Sequence, residues 1–194
     1  MHDAVPALLQ SWTNFYVIVG SSAGALTGLQ FVVMALVAQA GAPGSMAEVR
    51  AFGSPTVVHF CAVLFISATL TAPWHSVASV GLNIGTLGAA GTLYILSALR
   101  HALRHTKYKP DVGDWCWYGA VPLASYLALF FTGIVLRSHA ETLLFLVAGI
   151  ALVLLYTGIH NAWDTVTYII MLQLPSARAR QKESRSNTDS PAGS

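Results

Sequence analysis

Charge is what this sequence has least of. Only 9% of its 194 residues are Asp, Glu, Lys or Arg, where a soluble domain carries about 25%. A soluble fold of this length is excluded on that ground, because 55% of the chain is hydrophobic and so much apolar surface needs an apolar solvent. Cysteine is equally sparse. Cys61 and Cys116 are the two present, with no Cys-x-x-Cys spacing, so no disulfide framework is expected. Cys61 reads as a small core residue. The net charge of +2 is too small to point to nucleic acid as a partner. The first 13 residues contain no Lys or Arg and do contain Asp3. The apolar run that follows, from Asn14 to Ala38, exceeds the usual length of a signal-peptide core of about 7–15 residues. It reads as a retained span, despite the cleavage-like Ala38-Gln39-Ala40.

What is present is a series of long apolar runs. The expected fold is all-α, a bundle of five transmembrane helices over residues 1–174, with spans at about 14–38, 55–73, 76–99, 115–136 and 142–167. Residues 4–12 suit a short interfacial helix, and Ser45-Met-Ala-Glu48 has a capping-box pattern that predicts a short helix near 46–52. Pro55 is expected in the first turn of the second span, and Pro122 marks a kink in the fourth. The segment 175–194, rich in Ser, Arg, Asn and Pro, is expected to be a disordered cytoplasmic tail.

Small residues give two expected packing faces. Gly20, Gly24 and Gly28 recur every four residues in the first span. Gly81, Gly85, Gly88 and Gly91, three or four residues apart, give the third span a second such face. Such faces let helix backbones approach closely and favour self-association. Gly20-Ser-Ser-Ala-Gly24 also matches the hydrolase elbow formally. That elbow needs a strand-to-helix turn, and here the motif falls inside a helix. No catalytic constellation can be placed, so an enzyme is not the favoured reading.

Orientation follows from the basic residues. With five spans, Arg50, Arg100, Arg104, Lys107, Lys109, Arg178, Arg180, Lys182 and Arg185 share one side, and Arg137 alone lies on the other. The positive-inside rule then puts the N-terminus outside and the C-terminus in the cytoplasm.

Within these spans a few polar residues are expected at one depth. At about 1.5 Å per residue, Gln30, Tyr94 and His160 lie about 24–27 Å from the outer edge, with His59 near the same level. Asn161 adjoins His160, and Asp164 lies one helical turn below it. Tyr156, His160, Asp164 and Thr167 form a polar stripe that should face the bundle. Three readings of this cluster stay open. In the first it is structural, with Asp164 paired to Arg100 or Arg104. In the second, His59 and His160 titrate along a proton or ion path. In the third they ligate haem b, or a metal with Asp164.

The phrases Trp12-Thr-Asn-Phe-Tyr16, Pro55-Thr-Val-Val-His59, Asp114-Trp-Cys-Trp-Tyr118 and Gly158-Ile-His-Asn-Ala-Trp-Asp164 resemble those of small, uncharacterised bacterial polytopic membrane proteins. The resemblance covers most of residues 12–170 and implies a multi-pass protein of the bacterial inner membrane. It implies no activity. The expected function is a proton- or ion-conducting or transport subunit, or an accessory subunit of a membrane complex. The expected partners are the lipid bilayer and a second copy or a membrane-complex partner.

Overall fold

A computed structural model describes residues 4–39, 46–105 and 112–188. Among these the chain is helical, with short turns and no strand. The elements in order are α1 (Ala4–Gln10), α2 (Thr13–Gln39), α3 (Met46–Thr71), α4 (Val77–His105), α5 (Val112–Trp115), a π-helical turn (Cys116–Ala120), α6 (Val121–Val135) and α7 (Ala140–Thr188). Four stretches are long and apolar enough to cross a membrane: Thr13–Leu36, Val77–His101, Cys116–Val135 and Ala140–Thr167. The apolar part of α3, Pro55–Thr71, is shorter.

The helices run alternately up and down. Trp12 meets Phe145 edge-on with ring centroids 4.7 Å apart, so α2 and α7 begin at the same end. Gly20, early in α2, lies against Ser67, late in α3, where an added Cβ would stand 2.7 Å from the serine Cβ. Gly158, late in α7, lies against the ring of Phe60. α3 therefore runs opposite to both. α4 and α6 form the other pair. Gly81 faces Gly133, Gly88 faces Phe130, and Gly91 lies flat against the ring of Tyr126. A side chain at any of these positions would hold the two backbones apart. Tyr16, Val63, Ile66, Ile84, Leu129 and Leu154 are among the fully enclosed side chains at the centre of the bundle.

Several details depart from the expectations. The predicted short helix near 46–52 and the second span are one helix, so Pro55 lies nine residues inside α3 rather than at its start. Both cysteines are exposed. Cys61 is not a core residue, because His59, Phe60, Ala62 and Val63 take the inward positions of α3. The small-residue face of α2 is real only at Gly20. Nothing lies within 4 Å of a Cβ at Gly24 or Gly28. Each four-residue step advances about 40° beyond a full turn at 3.6 residues per turn, so the three glycines drift off one face. The inward stripe of α2 is instead Tyr16, Val19, Ala23 and Gln30. Residues 175–188 belong to α7, where a disordered tail is expected. Arg, Gln, Lys, Glu and Ala in this segment are good helix formers. Lys107, Lys109 and residues 189–194 lie outside the described residues.

Pro122 acts through the turn before it. It has no N–H to donate to Tyr118, and its ring crowds that carbonyl. The preceding turn widens, and the N–H of Val121 donates to the carbonyl of Cys116, five residues back. Such π-bulges relieve the mismatch locally and re-aim the side chains beside them. Trp117 is one of those side chains.

Candidate functional site

A membrane-spanning helix satisfies its own backbone, so a buried polar side chain must find a partner on another helix or on its own carbonyls. Several in this protein do. Ser125, Thr157 and Thr165 each donate to the carbonyl four residues back, at 2.7–2.8 Å. Ser22, from the elbow-like motif, does the same to Ile18 at 2.9 Å. Its hydroxyl is thus held by its own helix, in keeping with the absence of any strand-to-helix turn there.

Another set lacks such partners. His59 on α3 is fully buried, and its Nδ1 lies 3.0 Å from the hydroxyl of Tyr126 on α6. Its Nε2 has no protein partner. Neither does the Thr56 hydroxyl, the Gln30 Nε2 or either amide atom of Asn161. Thr56 and Asn161 are 0% exposed and Gln30 is 4% exposed. Further along the bundle the hydroxyls of Tyr16 and Ser67 are unpartnered as well. An unsatisfied buried polar group costs about 1–3 kcal/mol, so Gln30, Thr56, His59 and Asn161 together demand an explanation.

They lie at one level. Ten residues along α2 from Gly20 is Gln30, and ten back along α3 from Ser67 is Val57, next to Thr56. α2 packs chiefly on α3 and, less extensively, on α7, and Gln30 is on its buried side. The contact of Phe60 with Gly158 sets the register of α3 on α7. One turn onward along α7 is Asn161, and one turn back along α3 is Thr56. Three helices thus bring unpaired polar groups to a common stratum, and the His59–Tyr126 contact ties it to α6.

The second group is at the nearby rim. The His160 ring lies flat on the indole of Trp117, with centroids 4.5 Å apart and planes 17° apart. His160 Nδ1 is 3.2 Å from a carboxylate oxygen of Asp164. The angle there falls outside hydrogen-bond geometry, so the contact is electrostatic and becomes an ion pair when the ring is protonated. The π-helical turn places Trp117 for this stack. Both side chains of the pair are partly exposed, at 30% and 43%.

The expected residues therefore divide. Gln30, His59 and Asn161 belong to the buried stratum. His160 and Asp164 form the rim pair. Tyr94 is half-buried on α4, whose main partner is α6, and it lies within electrostatic reach of Tyr126, beside the His59–Tyr126 contact. Arg100 is exposed, and the described partner of Asp164 is His160. The side chain of Arg104 lies outside the described residues. The polar stripe that faces the bundle on α7 is not Tyr156, His160, Asp164 and Thr167, for Tyr156 is 58% exposed. It is Thr157, Asn161 and Thr165, one position further on and about 100° around the helix. Thr56, Tyr126, Thr157, Thr165 and Trp117 were not among the expected residues. Thr157, Asn161 and Thr165 share the same four-residue spacing, which is the signal that could have found them.

The two imidazoles serve different neighbours: His59 meets Tyr126, and His160 meets Trp117 and Asp164. Among the described residues no group of three or more His, Cys, Asp and Glu is placed to hold a metal ion. At the opposite end of the bundle a small hollow between Leu9, Val80, Leu136 and Leu144 is wholly apolar.

No protein-family model, no curated protein and no solved structure matches this chain. What is established is a helical chain with four membrane-length apolar helices and a fifth, shorter one, as in a multi-pass membrane protein.

Proposed function

We propose that the protein is a five-span protein of the bacterial inner membrane whose buried polar stratum is the site of a small proton-linked transport subunit. Its N-terminus is outside and its C-terminus cytoplasmic, by the distribution of basic residues. α3 completes the fifth crossing. Its apolar part has 17 residues, about 26 Å of helix at 1.5 Å per residue, close to the thickness of a bacterial hydrocarbon core.

The observation that carries this reading is the set of unpartnered atoms on Gln30, Thr56, His59 and Asn161. Polar groups left unpaired inside a membrane bundle mark ion and proton pathways more than they mark packing. Histidine is the side chain whose charge changes most readily near neutral pH. On α7, His160 adjoins Asn161 at the level of the stratum, and its partner Asp164 lies one turn further towards the end that the basic residues mark as cytoplasmic. Towards the outside, α3 carries no polar side chain among its buried residues between His59 and Ser67. Val63 and Ile66 seal that stretch, with Leu154 of α7 also fully enclosed. That supports a gated site reached from one side at a time, rather than an open pore.

Two experiments test the proposal. A reporter active only in the periplasm should work when fused at residue 3 or 139 and fail at residue 107 or after residue 180. A periplasmic signal from the segment at 107 would overturn the orientation. In liposomes loaded with a pH dye, the wild-type protein should pass protons after an acid pulse. His59→Gln should reduce this to the rate of protein-free vesicles, while Gly24→Leu should leave it unchanged. No wild-type flux at any pH would remove the transport reading and leave that of an accessory subunit in a larger complex.

A further inference from the structure

We infer that the polar stratum between α2, α3 and α7 binds a small monovalent anion, held by Gln30, Thr56, His59 and Asn161. This names the ligand of the transport site proposed above and rests on that reading.

The argument is one of donors and charge. The unpartnered atoms are the amide nitrogens of Gln30 and Asn161, the Thr56 hydroxyl, the His59 Nε2 and the Asn161 Oδ1. Two of the five are donors only, and the hydroxyl and the ring nitrogen can both donate. Asn161 Oδ1 is the sole obligate acceptor in the group. Among the described residues no carboxylate shares this burial. Asp164 is partly exposed and engaged with His160, and Glu141 is exposed. Hard cations are held by several oxygens, carboxylates among them, and this set offers two neutral ones. An anion would meet donors from three helices at one level and, among the described residues, no buried negative charge; hydrogen bonds to an ionised partner are the stronger ones.

His59 links the anion to the proton. Once protonated, both ring nitrogens donate. Nδ1–H donates to the Tyr126 oxygen 3.0 Å away, and Nε2–H is left to donate to the anion. A lone imidazolium in this setting is costly, and a lone anion likewise. Together they form a neutral pair. Proton and anion are thus taken up together, one of each, with no other bond made or broken.

Chloride is the probe. With the full chain in lipid nanodiscs, the chloride-35 NMR line should broaden with added protein, and the broadening should grow as pH falls. Asn161→Leu and His59→Gln should each weaken binding about tenfold, the loss expected for one hydrogen bond to a charged group. Gly24→Leu should match wild type. Broadening that is absent at every pH, or that persists in both variants, overturns the inference. Proton flux without chloride broadening would leave the transport reading standing and remove the anion site. Broadening without flux would do the reverse.

Discussion

Gly133→Leu should be the most damaging single change in this protein. The Cα of Gly133 packs on the backbone of Gly81 and Gly85, and a Cβ there would run into the Gly85 backbone. No flexible side chain is available to yield. α4 has α6 as its main partner, so separating this pair removes most of what holds α4. Overpacking a tight core costs about 1–3 kcal/mol and sometimes more, and a backbone-to-backbone contact belongs at the top of that range. Unfolding in mild detergent, followed by titration with a denaturing detergent, should show the variant melting well before wild type. Gly24→Leu is the matched control. Open space surrounds Gly24, and surface substitutions stay within about 0.5 kcal/mol. If the two variants unfold alike, the α4–α6 contact is not the tight seam described here.

Asn161→Leu should move stability and activity in opposite directions. The side chain is 0% exposed, and neither of its amide atoms has a protein partner. Leucine matches it in branching and heavy-atom count, is bulkier, and has no polar atom to satisfy. Removing an unsatisfied buried group recovers about 1–3 kcal/mol, so the variant should be the more stable protein. It should also lose proton flux, because the amide is part of the polar stratum. Proteins keep such costly groups where function requires them. A variant less stable than wild type would mean that Asn161 is bonded in place and serves the fold. A stable variant with full flux would take Asn161 out of the pathway.

Much of the architecture is legible in the sequence, because helix length and apolar composition are one-dimensional quantities. The four membrane-length helices and the shorter α3 follow from them, as does the close face of Gly81, Gly85 and Gly88. What is not legible is rotation about each helix axis. In a soluble helix the polar face reports the outside. Here lipid and core are both apolar, so the two sides of α2 look alike in composition. Gly20 packs and Gly24 does not, though both fit the same spacing. On α7 the same ambiguity exchanged one polar stripe for its neighbour: Tyr156 and His160 look outward or to the rim, while Thr157 and Asn161 are enclosed. The extent of α3 was hidden for another reason. Pro55 reads as a start signal, yet the helix already runs from Met46 and tolerates it. Counting residues from the ends of the spans was enough to suggest a shared level for Gln30 and His59, although only packing could bring in Thr56 and the Tyr126 hydroxyl.

The central claim is that water and protons reach the His59 level while the apolar stretch beyond it stays dry. Hydrogen exchange read by solid-state NMR in lipid bilayers tests this most directly. After transfer to deuterated water, the ring N–H of His59, identified by its loss in His59→Gln, should exchange promptly. The backbone amides of Val63 and Ile66 should remain protected over the same period. A His59 ring proton as well protected as those amides would contradict the account and make the polar stratum a sealed part of the fold.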